Sequence, residues 1–114
     1  MSLQNEQYKF ALNVADLIRY INQSGYSCTL GEVFRTKEQA ELNVKNGTGI
    51  LDSNHCRRLA IDINLFSPTG KFLIETKDYY KFGQYWESLD PLNRWGGGFP
   101  KVDADHFERN YKES

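Results

Sequence analysis

Leu59-Ala60-Ile61-Asp62-Ile63-Asn64-Leu65 is the stretch that decides the fold. Leu59, Ile61, Ile63 and Leu65 alternate with Ala60, Asp62 and Asn64, a period of two that puts the large apolar side chains on one face of a β-strand. Such a face has to be covered, and the flanking sequence supplies the cover. Upstream, residues 6–23 place Phe10, Val14, Leu17 and Ile21 on one helical stripe, with Gly25 as a stop. Tyr26, Cys28 and Leu30 then alternate with Ser27, Thr29 and Gly31 as a second strand. Thr36-Lys37-Glu38-Gln39 reads as a capping box that opens a helix ending before Gly47. Downstream, Ser67-Pro68-Thr69-Gly70 is a turn that returns residues 71–74 as a hairpin partner. Thr76 is placed to cap a third helix running to about residue 89, with Tyr79, Phe82, Trp86 and Leu89 on its face and Pro91 beyond its end. Trp95-Gly96-Gly97-Gly98-Phe99-Pro100 is a tight glycine-rich segment, and a short strand is expected around residues 106–109. Helices and hairpins segregated in this way predict an α+β domain, a small antiparallel sheet with helices packed on it.

At 114 residues the chain predicts one domain over residues 1–114. Residues 1–5 carry no weight in that reading and are open to being disordered or foreign to the natural chain. Hydrophobic residues make up 39% and aromatics 14%, enough apolar surface to form a core, which excludes whole-chain disorder. A formal charge of −1 gives no bulk field toward nucleic acid or an anionic membrane, and no apolar run approaches the ~20 residues that span a bilayer. Met1-Ser2-Leu3-Gln4-Asn5-Glu6 lacks the basic and apolar regions of an export signal. Synthesis in the cytoplasm is therefore expected, with Cys28 and Cys56 as free thiols.

The only two histidines, His55 and His106, both sit among carboxylates. His55 lies in an aperiodic loop over residues 47–57, just before the strongest strand. Asp62 lies on that strand, on the face opposite the apolar row and beside the small Ala60. Fully extended, residues 55–62 would span about 23 Å, so the loop has to turn back near residues 56–58 if His55 and Asp62 are to share an ion. Asp103 precedes His106 by three positions, and a turn or bulge near Ala104 and Asp105 would let the two converge. Two imidazoles and a carboxylate leave a fourth position open on zinc, as in catalytic rather than closed structural sites, and a further carboxylate could serve as general base. Asp103 and Asp105 compete for that role. The plainer alternative is a surface histidine, a solvated Asp62 and an exposed acidic tail.

Ser53-Asn54-His55-Cys56-Arg57-Arg58-Leu59-Ala60-Ile61-Asp62 resembles the S-x-H-x-x-G-x-A-x-D signature of the zinc D-Ala-D-Ala carboxypeptidase and L-alanyl-D-glutamate endopeptidase family, whose fold is shared with the Hedgehog signalling domain. Asp103-Ala104-Asp105-His106-Phe107-Glu108 resembles the second signature of that family. Trp95-Gly96-Gly97-Gly98-Phe99 is similar to the glycine-rich segment before it, and Phe34-Arg35 with Gln39 to an upstream Arg-and-Gln element. One departure is plain: Arg58 stands where the signature has glycine. The resemblance implies a Hedgehog/DD-peptidase-like fold and one Zn²⁺ per chain, held by His55, Asp62 and His106. It implies Asp103 as the catalytic carboxylate and Arg35 as the cation on the scissile carbonyl. The implied activity is hydrolysis of peptidoglycan stem peptides at the L-Ala-D-Glu bond, as in phage endolysins, with D-Ala-D-Ala carboxypeptidase activity as the near alternative. A non-catalytic cell-wall or protein-binding module on the same fold is the alternative of another class. A stem peptide is the expected partner, for a monomer that binds no nucleic acid, inserts in no membrane and reaches the wall after release or delivery. Ser53 is expected to brace the loop or touch substrate. Cys56 is expected to pack, with a thiolate ligand as its alternative, and Glu108 to support a ligand histidine.

Overall fold

The alternation at residues 59–65 becomes the central strand, β2 (Ala60–Phe66), in a computed structural model that describes residues 2–47 and 53–112. One edge of β2 pairs with β1 (Ser27–Leu30). Its other edge pairs with β5 (His106–Arg109) at one end and with β3 (Phe72–Leu73) at the other. β4 (Asn93–Trp95) lies outside β5, so the sheet runs β1-β2-β5-β4, antiparallel throughout. Three helices complete the fold: α1 (Leu3–Gln23), α2 (Lys37–Lys45) and α3 (Thr76–Leu89). The α+β arrangement expected from the sequence is the one observed.

Register divides the sheet into two chemistries. On the core face, Ile61 of β2 lies opposite Phe107 of β5, which lies opposite Trp95 of β4. With Leu59, Ile63 and Leu65 these pack against Phe10, Leu17 and Ile21 of α1 and Tyr79, Phe82 and Trp86 of α3. Directly opposed residues of an antiparallel pair share a face. On the far face, therefore, Asp62 meets His106 in one row, and Ala60, Glu108 and Arg94 line up in the next. The sheet holds the core on one side and Asp62, His106, Glu108 and Arg94 on the other.

Several boundaries differ from those read in the sequence, for local reasons. α1 begins at Leu3, three residues before the start set by its apolar stripe, because the Ser2 hydroxyl accepts the Asn5 N–H at 3.2 Å. Gly25, at φ 87°, ends the helix: its N–H donates to the Asn22 carbonyl and that of Tyr26 to Ile21, the paired bonds of a Schellman stop. Thr36 does cap α2, accepting from the Gln39 N–H at 3.0 Å, but the Gln39 side chain runs along the helix to Asn43 instead of closing a capping box. Thr76 is the first residue of α3, not its cap. Glu75 caps it, with the Asp78 carboxylate accepting the Glu75 N–H at 3.3 Å. β4 replaces part of what reads as irregular chain. The aperiodic 47–57 loop contains a 3-10 turn over Asn54–Arg57, and its residues 48–52 lie outside the described part.

Glu6, on the stripe of α1, is fully buried against Arg109 of β5, whose guanidinium donates to Glu6 Oε1 at 2.8 and 3.0 Å and reaches Asp90 at 3.0 Å. That network ties the first helix to the last strand.

Candidate metal centre

His55 is brought to β2 by the turn expected near residues 56–58. The Ser53 hydroxyl accepts the His55 N–H at 3.2 Å and opens the 3-10 turn. Arg58 closes it in the left-handed region at φ 55°, ψ 39°. That conformation explains the glycine of the signature, since the turn needs a positive φ, which glycine adopts without steric cost. Arg58 occupies it while its guanidinium lies 4.0 Å from the Phe34 ring centroid. The Arg35 N–H donates to the His55 carbonyl at 3.1 Å, fastening the turn to the segment after β1.

His106 opens β5 directly across from Asp62. Before it the chain turns as expected at Ala104 and Asp105, with the His106 N–H donating to the Asp103 carbonyl at 3.1 Å. The Ile63 N–H donates to the Asp105 carbonyl at 2.8 Å. The glycine-rich segment packs against this turn. A Cβ on Gly96 would overlap the Asp103 carbonyl and sit 3.0 Å from His106 Cβ, so that position has to be bare.

The result is a compact constellation. Asp62 Oδ1 lies 3.4 Å from His55 Nε2 and 3.5 Å from His106 Nδ1. One ligand atom from each of the three residues falls within 4.8 Å of the others. Ligand atoms bound at about 2.0–2.1 Å to a tetrahedral zinc stand roughly 3.3–3.4 Å apart, close to both observed separations. Asp62 Oδ1 is buried with no hydrogen-bond partner, an orphan acceptor that a cation would satisfy. The outer nitrogens are held as metal-bound imidazoles usually are. His106 Nε2 is 2.8 Å from Glu108 Oε1, and His55 Nδ1 is 3.3 Å from the Val33 carbonyl. These three residues fit a zinc ion.

Ionisation follows from the same contacts. Burial pushes the Asp62 carboxyl up, but the adjacent His106 and His55 outweigh it and hold it at about 2. Burial opposes a charge on His106, yet Asp62 and Glu108 raise its pKa to about 9. Glu108 is pushed up by burial and pulled down to about 2 by His106, Arg94 and Asn54. Asp105 goes the other way, to about 7, through burial, its hydrogen bond with Asp103 and the charge of Asp62. Asp103 is exposed and lines the cavity over the site, whereas Asp105 is half-buried behind it, which leaves Asp103 as the open carboxylate.

A cavity of about 770 Å³ opens over the constellation, and its walls include Arg35, Asp103 and Arg94. Asp103 Oδ2 lies 3.9 Å from His106 Nδ1. Arg35 is largely buried, paired with Glu32 at 2.5 Å, and its Nε has no hydrogen-bond partner. All five residues singled out in the sequence therefore meet at one cavity. Gln39 does not join them, being exposed on α2. Cys56 is a free thiol outside the cavity walls, and Ser53 braces the turn.

Two groups escape a reading of the sequence. Glu32 approaches His55 Nδ1 to 3.5 Å while pairing with Arg35, and its carbonyl accepts the Asp62 N–H at 3.0 Å. Arg94 donates to Glu108 Oε2 from Nε at 3.1 Å and Nη2 at 2.6 Å. Neither sits in a motif, and only the strand pairing brings them to the site.

Fold and site together define a small α+β protein with a two-histidine, one-carboxylate constellation open to a cavity. The sequence model of the D-alanyl-D-alanine carboxypeptidase family matches residues 46–109, more than half of the chain, and the chain belongs to that family. The match takes in both histidines, Asp62 and Asp103 but starts after Arg35, whose placement rests on the cavity alone. Among solved structures, the fold is similar to that of the Serratia marcescens L-Ala D-Glu endopeptidase ChiX, with a TM-score of 0.62 and 21% identity over 73% of this chain. The chain covers 66% of that endopeptidase, slightly less than two thirds. Comparison with curated protein sequences gives no match.

Proposed function

We propose that the chain is a zinc-dependent peptidase that hydrolyses peptidoglycan stem peptides at the L-Ala-D-Glu bond. The observation that carries the reading is Asp62 Oδ1, buried, without a hydrogen-bond partner and faced by one nitrogen from each histidine. His55 Nε2, Asp62 Oδ1 and His106 Nδ1 are the proposed ligands. When bound, zinc supplies a Lewis acid that lowers the pKa of water toward about 7 and polarises a carbonyl. Asp103 accepts the proton of the attacking water and passes it to the leaving amine. Arg35 donates to the scissile carbonyl oxygen as negative charge builds there, from a guanidinium already fixed by Glu32. Glu108 and the Val33 carbonyl hold the outer imidazole nitrogens, so neither ring has to reorient during the reaction.

The Serratia neighbour supports the choice of bond, and the family description favours a second reading, release of a terminal D-alanine from D-Ala-D-Ala. Both use the same site. A non-catalytic binding module would have no use for Asp103 at the mouth of the cavity. In the proposed setting the chain works as a monomer of the endolysin kind, reaching the wall after release or delivery. Digestion of purified stem peptides, with mass analysis of the products, tests the reading. Cleavage between L-Ala and D-Glu that stops with a chelator and returns with zinc is expected. Products that differ by one D-alanine select the second reading, and intact peptide at full zinc loading contradicts both.

A further inference from the structure

The wall of the cavity beyond the metal constellation is cationic. Arg94 stands next to Glu108 across β4 and β5, and Glu108 is the carboxylate that holds His106, so one carboxylate's width separates the guanidinium from a proposed metal ligand. Two of its nitrogens, Nε and Nη2, are used on Glu108 Oε2. The side chain is nevertheless 48% exposed. Its Cζ lies 5.2 Å from the Phe99 ring centroid, which fixes the guanidinium plane at the cavity wall. Lys101 lines the same wall and makes no ion pair among the described residues. Lys101, unpaired among the described residues, and the half-open Arg94 thus put two cationic donors on one wall of the cavity, which Lys112 also lines.

We propose that Arg94 and Lys101 form the carboxylate anchor of the substrate, so that the cavity selects peptides carrying a free carboxylate within one or two residues of the scissile bond. The inference rests on the peptidase reading above and deepens it. The His106 ring and the Glu108 carboxylate stand between the constellation and Arg94, and a peptide residue spans about 3.3–3.6 Å, so a carboxylate held there belongs a residue or two from the scissile bond. Arginine presents a planar fork suited to a carboxylate, and Arg94 comes to it already oriented by Glu108. Two carboxylates offer this chemistry in a stem peptide: the α-carboxylate of D-Glu, next to an L-Ala-D-Glu bond, and the C-terminal carboxylate, next to a D-Ala-D-Ala bond.

Calorimetric binding to the zinc-loaded chain carrying Asp103→Asn separates them. Three versions of one stem peptide are compared: both carboxylates free, the D-Glu α-carboxylate amidated, and the C-terminus amidated. A hydrogen-bonded charge pair predicts that one of the two amidations weakens binding on the order of 10- to 100-fold, and the version affected identifies the carboxylate. Arg94→Gln with Lys101→Gln should reduce that difference to within about threefold. Lys101→Gln alone, which leaves Glu108 and His106 untouched, should reduce it severalfold with zinc content unchanged. Equal binding of all three peptides, including no binding of any, overturns the anchor, as does selectivity that survives both substitutions. If selectivity is present but no peptide is cut by the unmodified zinc-loaded chain, the proposed reaction fails while the anchor stands.

Discussion

Replacing Arg58 by glycine and, separately, by alanine asks whether the turn that carries His55 is built on a strained residue. Arg58 sits at φ 55°, ψ 39°. For a residue with a Cβ the left-handed region costs about 1–2 kcal/mol. Alanine keeps that cost, and glycine removes it. Glycine in turn gives the unfolded chain more freedom, which lowers stability by about 0.4–1 kcal/mol relative to alanine. Both substitutions lose the contact with Phe34, worth about 0.5–1 kcal/mol at an exposed site, so that loss cancels in the comparison. Arg58→Gly should therefore be more stable than Arg58→Ala by up to about 1.5 kcal/mol, the reverse of the usual order in regular structure. With a urea slope of about 1–3 kcal/mol/M, a difference of 1 kcal/mol separates the midpoints by roughly 0.3–1 M. Urea unfolding followed by circular dichroism reads it. An alanine variant as stable as the glycine variant, or more so, refutes the reasoning about the turn.

Asp103→Asn should keep its zinc and lose catalysis by about 10²- to 10⁴-fold, whereas Asp105→Asn, still able to donate to Asp103, should lose little; steady-state rates per bound zinc decide between the two carboxylates. Arg35→Lys should lower turnover more than metal content, because lysine keeps the charge but not the fork, and an oxyanion donor is worth about 3–4 kcal/mol; unchanged turnover per bound zinc would make Arg35 a partner of Glu32 only. Asp90 is raised by burial but pulled below its ordinary 3.8 by the Leu92 N–H and Arg109. Its folded pKa is depressed, so its contribution to stability is present above pH 3.8 and lost as pH falls through the folded value. Asp90→Asn should accordingly cost stability at pH 7 and cost none well below pH 3.8; a deficit that persists in acid would remove Asp90 from the Arg109 network.

What could be read in the sequence was what depends on near neighbours. The alternation at residues 59–65, the stripes of α1 and α3 and the approach of Asp103 to His106 are local, and each appears where its spacing puts it. Missed features depend on partners distant in the chain. Glu6 looks like the solvated start of a helix until Arg109, at the other end of the chain, buries it. β4 is three residues long, too short to show a period, and it exists because Asn93–Trp95 pairs with β5. Arg94 reaches the site by that pairing, and Glu32 through the Asp62 N–H. The cap of α3 differs for another reason: Thr76 is the better capping residue in isolation, but the backbone turns one residue earlier, at Glu75.

The central claim is that His55, Asp62 and His106 hold one zinc ion. Elemental analysis of the purified chain beside His55→Ala and His106→Ala tests it most directly, with circular dichroism showing that each variant is folded. Close to one zinc per chain is expected in the unsubstituted protein and loss of most of it in both variants, because two ligands of types suited to zinc remain where three are needed. Full zinc content in both folded variants would contradict it.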